Sequence, residues 1–305
     1  MLNLVKKGSI TALTLFLTTL FVGCGNNDDD GPIAVPIRDR AEEALEAQTE
    51  IEEFLSTHFY NYEEFENPPA DFDYKIKIDS IAGENLDKTP LIEQVQFKTV
   101  KDRVEDDVTY KLYYLKVSEG GGTPVLFPDI LTLTYEGRLS DLSLFDGRTA
   151  PVQFDLTQIV NGLQDALIEF NNAAGITELP DGTLNVEDPG IGAVFIPSGL
   201  GYFFEPPPMS GIGLYAQLIF TFQTYTSVEG DQDNDGVPSI IEDLNGNGIE
   251  EDDDTDEDGV FNLYDNDDDN DGRLTRDEIE IDDKGHITYP DSDGDGTPDY
   301  LDADS

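Results

Sequence analysis

From Asp231 onward the chain sets an acid or amide at every second residue, follows it with a glycine, and then begins again. In the first unit Asp231, Asp233, Asp235, Gly236, Ser239 and Glu242 occupy the first, third, fifth, sixth, ninth and twelfth positions, with the Val237 carbonyl at the seventh. That spacing supplies the oxygens and the sharp glycine turn that a calcium loop needs. The register returns from Asp243 (Asn245, Asn247, Gly248, Ile249, Asp254) and from Asp254 (Asp256, Asp258, Gly259, Val260, Asn262, Asp265). It returns again from Asp267 (Asp269, Asp271, Gly272, Arg273, Thr275, Glu278) and from Asp291 (Asp293, Asp295, Gly296, Thr297, Asp299, Asp302). Ile249, Val260, Arg273 and Thr297 would offer backbone carbonyls. A defective copy, Glu280, Asp282, Lys284, Gly285 and Asp291, puts a cation where a ligand belongs.

About 30 of the 66 acidic residues fall within 229–305, opposed only by Arg273, Arg276 and Lys284. A merely solvating acidic segment would repel itself into disorder and would have no use for glycines in register. The loops start roughly every 11 to 13 residues, which leaves no room for the flanking helices of paired EF-hands. Pro238 and Pro298 also remove the amide at the eighth position, through which paired loops would bond. The array resembles thrombospondin type 3 repeats, with Asp254 and Asp291 each shared between neighbours. That resemblance implies structural calcium and almost no hydrophobic core over 229–305.

Upstream, Ile130 to Tyr225 reads differently. Leu131, Leu133 and Tyr135 alternate with Thr132 and Thr134, as in a half-buried strand. A turn is expected over 136–141, then Leu144-Phe145-Asp146, then a short strand Val152-Gln153-Phe154. Ile159, Leu163, Ala166, Leu167 and Phe170 share one helical face. Leu218, Phe220 and Phe222 alternate with polar neighbours in a last strand. One short helix among antiparallel strands is an α+β pattern. The blocks TLTYEGRL, LFDG, VQFDLTQIVNGL, AVFIPSGLGYF and AQLIFTFQTY occur in the order found in FKBP-type peptidyl-prolyl isomerases, which this stretch resembles over about Tyr110 to Tyr225. The expected architecture is an FKBP-like antiparallel sheet wrapped on a short helix, preceded by a helix and strands and followed by the loop array.

Isomerisation of an X-Pro bond breaks no covalent bond, but peptide resonance sets a barrier of about 18 to 20 kcal/mol. An apolar, water-poor cradle with one or two polar groups lowers it, because the twisted amide is the less polar state. The resemblance implies that Tyr135, Phe145, Phe154, Val160 and Phe220 line such a cradle. It also implies that Asp146 is a buried orienting carboxylate and that Tyr202 donates its hydroxyl to a substrate carbonyl. Leu163 stands where the family has a tryptophan floor and Val152 where it has an aromatic, changes expected to weaken activity. Residues 171–190 are an insertion whose Pro180-Asp181-Gly182 signals a hairpin turn.

Asp39 opens a helical pattern in which Ala41, Ala44, Leu45, Gln48, Ile51, Phe54 and Leu55 form one face, expected to pack. Phe72, Tyr74, Ile76 and Ile78 then alternate as a strand would, and Val108, Tyr110, Leu112 and Tyr114 do the same. At the N-terminus, Lys6 and Lys7 precede an apolar run, Ile10 to Val22, that is too short to span a bilayer and stops at Gly23-Cys24. Cys24, the chain's single cysteine, resembles the lipidated residue of bacterial lipoproteins, and the acids that follow resemble a surface-export signal. The expected division is signal peptide 1–23, linker 24–38, helix and strand region 39–109, isomerase domain 110–226 and calcium array 229–305. A net charge of −49 argues against nucleic acid as a partner. The sequence thus describes an exported isomerase, lipid-anchored to the outer membrane on its periplasmic or surface face. It would act on proline-containing segments of envelope proteins, with calcium in the tail and no cofactor for catalysis. The alternative, favoured by Leu163, is a non-catalytic peptide-binding or adhesive module.

Overall fold

In the computed structural model, which describes residues 35–105, 107–180, 182–249 and 252–305, Asp39 caps the first helix by accepting the Glu42 amide at 3.0 Å. Helix α1 (Arg40–Thr57) carries Glu42 and Glu43 in its first turn, where the helix dipole favours acids. Its buried stripe is Glu43, Ala47, Ile51, Phe54 and Leu55, while Leu45, expected on that face, is 70% exposed. An acid can hold a core position here because the Glu43 carboxylate meets Arg38 at 2.6 Å and the Ser198 hydroxyl at 2.8 Å. The signal-like run, Cys24 and the acids at 26–30 lie outside the described residues.

Strand β1 (His58–Tyr60), the short helix α2 (Tyr62–Glu66) and strand β2 (Ile78–Ser80) follow, with β1 and β2 paired antiparallel. The strand expected from Phe72 begins only at Ile78. Tyr74 has φ +55°, which turns the chain out of the extended region and cancels the alternation. Gln223 instead donates to the carbonyls of Asp73 and Tyr74.

The main sheet is built from β3 (Gln96–Lys101), β4 (Thr109–Ser118), β5 (Ile130–Leu139) and β6 (Leu144–Asp155), then β9 (Gly190–Ile196) and β10 (Leu218–Val228). Helix α3 (Asn161–Leu167) and the β7 (Gly175–Glu178) and β8 (Leu184–Glu187) hairpin lie between β6 and β9. Strand order is β3-β4-β9-β10-β5-β6, with antiparallel neighbours throughout. The sheet therefore begins upstream of Tyr110, since β3 pairs along β4. The turn expected over 136–141 is strand as far as Leu139, and Gly137 pairs with Asp146. Leu144–Asp146 and Val152–Phe154 belong to one strand, kept continuous by shifts of register opposite β5. The 171–190 insertion is the β7-β8 hairpin.

Both faces of the sheet are covered. Leu131, Leu133, Ile196, Leu218 and Phe222 pack with Leu163, Ala166 and Leu167 of α3 on one side. Tyr113, Leu115, Phe195 and Ile219 pack with Ile51, Phe54 and Leu55 of α1 on the other. Every residue of β9 is buried, the signature of a strand with no solvated side. The segment after β10 has short helical turns and one small apolar cluster of Val237, Ile279 and Tyr300, with Ile287, Tyr289 and Leu301 against it. The defective copy of the acidic repeat forms a hairpin of β11 (Glu280–Ile281) and β12 (Ile287–Thr288).

Candidate functional site

Phe145 can lean over the sheet because Gly137, on the neighbouring strand, puts no side chain against its ring. A Cβ at Gly137 would come within 2.7 Å of the Phe145 ring and 3.0 Å of Phe220. Phe145 and Phe220 meet edge to face at 5.6 Å, and Tyr135 packs 4.8 Å from Phe154 and 6.2 Å from Phe220. These rings wall a cleft of about 320 Å³ lined by Tyr135, Phe145, Asp146, Phe154, Gln158, Ile159, Val160, Leu163, Tyr202 and Phe220. Strand β5 supplies Tyr135, β6 supplies Phe145, Asp146 and Phe154, and β10 supplies Phe220. Leu163 rises from α3 as the floor, 2% exposed. All eight residues expected in the cradle thus converge. Gln158 and Ile159 join them from the turn before α3, a position where the sequence pointed to helix packing for Ile159 and to nothing for Gln158. Val152 is not in the lining.

Asp146 accepts the Tyr135 hydroxyl at 2.6 Å, its neighbour's Gly147 amide at 2.8 Å and Arg148 at 3.2 Å. It is not buried as expected: its side chain is 47% exposed, because β6 is the outer strand of the sheet and nothing covers it there. Burial, and then the Asp146 carboxylate, pushes the Tyr135 phenol well above its usual pKa. Burial and the same carboxylate also raise Tyr202. Both phenols therefore hold their protons. Among the described residues the Tyr202 hydroxyl has no hydrogen-bond partner, so it remains available as a donor into the cleft. Beyond the cleft, Glu205 to Ile212 forms a flap on which Met209 is fully exposed and Ile212 turns back toward the core.

The acidic loops form a second kind of site. Gly236, Gly248, Gly259, Gly272 and Gly296 have φ between +75° and +106°, as a sharp loop turn requires. Carboxylate oxygens gather within 4.8 Å of one another at Asp231, Asp233 and Asp235; at Asp254, Asp256 and Asp258; at Asp267, Asp269 and Asp271; and at Asp291, Asp293 and Asp295. In the second loop Asn245 and Asn247 turn their amides onto Asp252 at 2.9 and 2.8 Å. The ninth-position residues also brace the loops. Ser239, Asn262, Thr275 and Asp299 accept the second-position amides of Gln232, Thr255, Asp268 and Ser292 and so brace their loops. Val237, Ile249, Val260, Arg273 and Thr297 donate their amides to the fifth-position side chain. Asp265 accepts the Asp267 amide at 3.0 Å, and the Asp302 charge reaches Asp269 of the fourth loop.

Burial and then facing carboxylates raise Asp233 to about 8, Glu242 to about 9 and Glu278 to about 7. Among the described residues, buried oxygens of Asp231, Asp254, Asp256, Asp267 and Asp269 have no hydrogen-bond partner. Protein groups alone do not satisfy these acids. Nor is the segment detached from the sheet. Gln232 donates to the Pro128 carbonyl at 3.0 Å, and Gln158 on the cleft rim donates to the Tyr264 hydroxyl at 3.1 Å.

Residues 232–290 match the family described as BamM C-terminal, rather than the thrombospondin type 3 repeats that the loop spacing resembles. No curated protein matches the sequence. Matching solved structures include a peptidyl-prolyl cis-trans isomerase from Pseudomonas syringae pv. tomato, 19% identical over 45% of this chain and 82% of that one, with a TM-score of 0.33. FkpA from Escherichia coli is 23% identical over 38% of this chain and 48% of its own, with a TM-score of 0.31. The structure of three FKBP domains of wheat FKBP73 is 13% identical over 43% and 51%, with a TM-score of 0.32.

Proposed function

We propose that the cleft binds proline-containing segments of other polypeptides and speeds cis-trans isomerisation of their X-Pro bonds. The observation that carries this is the convergence of Tyr135, Phe145, Asp146, Phe154, Val160, Leu163, Tyr202 and Phe220 on one aromatic-walled space. The apolar walls exclude water from the amide, which favours its twisted and less polar form. Tyr202 donates to a peptide carbonyl, and the Tyr135 to Asp146 bond fixes the wall beside it. Rotation needs no nucleophile, so these groups position and desolvate.

A prolyl-peptide assay on the purified full chain tests the reading. Tyr202→Phe should lower kcat/KM a few-fold and Asp146→Ala about tenfold, the loss of one neutral and one charge-assisted hydrogen bond. Leu163→Trp should raise it. Absence of activity with peptide binding retained would favour the second reading, a non-catalytic binding module, which the small Leu163 floor supports.

The tail is proposed to bind calcium. Its carboxylates and amide oxygens suit a hard cation, and a divalent ion would supply the charge that the buried acids lack. Asp231, Asp233, Asp235 and Glu242 would hold it in the first loop, with corresponding residues from Asp243, Asp254, Asp267 and Asp291 onward. The N-terminal run ending at Cys24 supports an envelope protein anchored by lipid. Cys24→Ser should move it out of membrane fractions, and retention there would refute the anchor.

A further inference from the structure

Glu242 closes the first loop, yet its nearest acidic company includes a residue from the fourth. Asp235, Glu242 and Asp268 bring carboxylate oxygens within 4.8 Å of one another, and the three residues are 2%, 0% and 2% exposed. Among the described residues Asp235 Oδ2 and Asp268 Oδ1 lack any hydrogen-bond partner, Glu242 has only the Ser239 hydroxyl beside it and no well-formed hydrogen bond to either oxygen, and no lysine or arginine pairs with them. Asp268 stands at the second position of its loop, which the repeat does not reserve for a ligand. In the third and last loops that position is Thr255 or Ser292, whose hydroxyl bonds the ninth-position side chain. Asp268 does the same with one oxygen, accepting the Thr275 hydroxyl on Oδ2 at 3.0 Å. A hydroxyl would serve that purpose, so the second oxygen is surplus to the loop, and the carboxylate lies with those of Asp235 and Glu242.

We propose that Asp268 completes the cation site of the first loop, so that one calcium ion is held jointly by Asp235 and Glu242 of the first repeat and Asp268 of the fourth. The inference rests on the calcium reading above. All three donors are hard oxygens in a site closed to solvent, which suits an ion that sheds its water readily and accepts six to eight oxygens. The loop register alone gives each repeat its own ion. This geometry adds a clasp between repeats that are far apart in the chain, beside the Val237, Ile279 and Tyr300 cluster.

Calcium titration of the detergent-solubilised full chain against a competing chelator tests it. Asp268→Asn keeps an acceptor for Thr275 and removes only the charge; it should weaken one ion at least tenfold and leave the others unchanged. Glu242→Gln should weaken the same ion, and the double variant should lose no second ion. Asp268→Thr, which copies the residue of the third loop, should reproduce the Asn result and guards against misfolding of that variant. If both Asp268 variants titrate like the wild type while Glu242→Gln loses an ion, the shared site is wrong and separate loops remain. Loss of two ions in the double variant also overturns it. A wild-type chain that takes up no calcium removes this inference and the calcium reading together.

Discussion

The sheet and the acidic segment that follows it are both buried at their centres, but they bury opposite things. Around the sheet the centre is carbon: Leu131, Leu133, Leu156 and Leu167 on one side and Leu55, Leu91 and Phe195 on the other are all at most 1% exposed. In the segment from Asp231 the apolar centre shrinks to Val237, Ile279 and Tyr300, while Asp235, Glu242, Asp268 and Glu278 are buried beside it. Apolar burial contributes roughly 25 cal/mol per Å² and needs no partner. Buried carboxylates oppose folding unless something neutralises them. One region therefore buries groups that need no partner, and the other buries charges that do.

Removing calcium should divide the molecule most sharply. In chelator, 231–302 should become protease-sensitive while β4, β9 and β10 keep slow amide exchange; equal loss in both regions would erase the distinction. Next in size, Leu133→Ala should cost about 2 to 5 kcal/mol in denaturant. That cost should be the same with or without calcium, and a calcium-dependent cost would show that the carbon core leans on the tail.

A smaller effect sharpens the contrast through pH. Without metal, burial and neighbouring acids raise Asp233 to about 8, Asp268 to about 8 and Glu242 to about 9, against about 4 in an unfolded chain. A raised carboxyl pKa stabilises the fold fully below the unfolded value, and the gain disappears as pH climbs through 8 to 9. Metal-free protein should thus resist protease better at pH 5 than at pH 9 in its tail, with the sheet indifferent; equal resistance at the two pH values would mean those acids are solvated. The smallest effect belongs to Lys284→Ala. That copy is closed by the Asp282 amide on the His286 carbonyl and the His286 amide on the Asp282 carboxylate, so the number of calcium ions should not change.

What was legible in the sequence follows the range of the interactions. The loop turns could be read because each depends on residues within a dozen positions of one another, and the cleft because its residues stand in recognisable blocks. Partners distant in sequence stayed hidden. Glu43 is buried because Ser198 meets it, and nothing near Glu43 announces that. Tyr74 leaves the strand pattern where Gln223 takes the backbone carbonyls on either side of the bend. The exposure of Asp146 depends on β6 ending the sheet, and the role of Gln158 on Tyr264 arriving at the rim. Asp268 resembled one more acid among many until Glu242 stood opposite.

The cluster that joins Val237 to Tyr300 has a mechanical meaning. Val237 of the first loop and Tyr300 of the last pack in one cluster, so pulling the two ends of the segment apart would have to part that cluster before the chain between them could extend. Once the cluster parts, the chain between Val237 and Tyr300 can lengthen toward roughly 200 Å of extended contour.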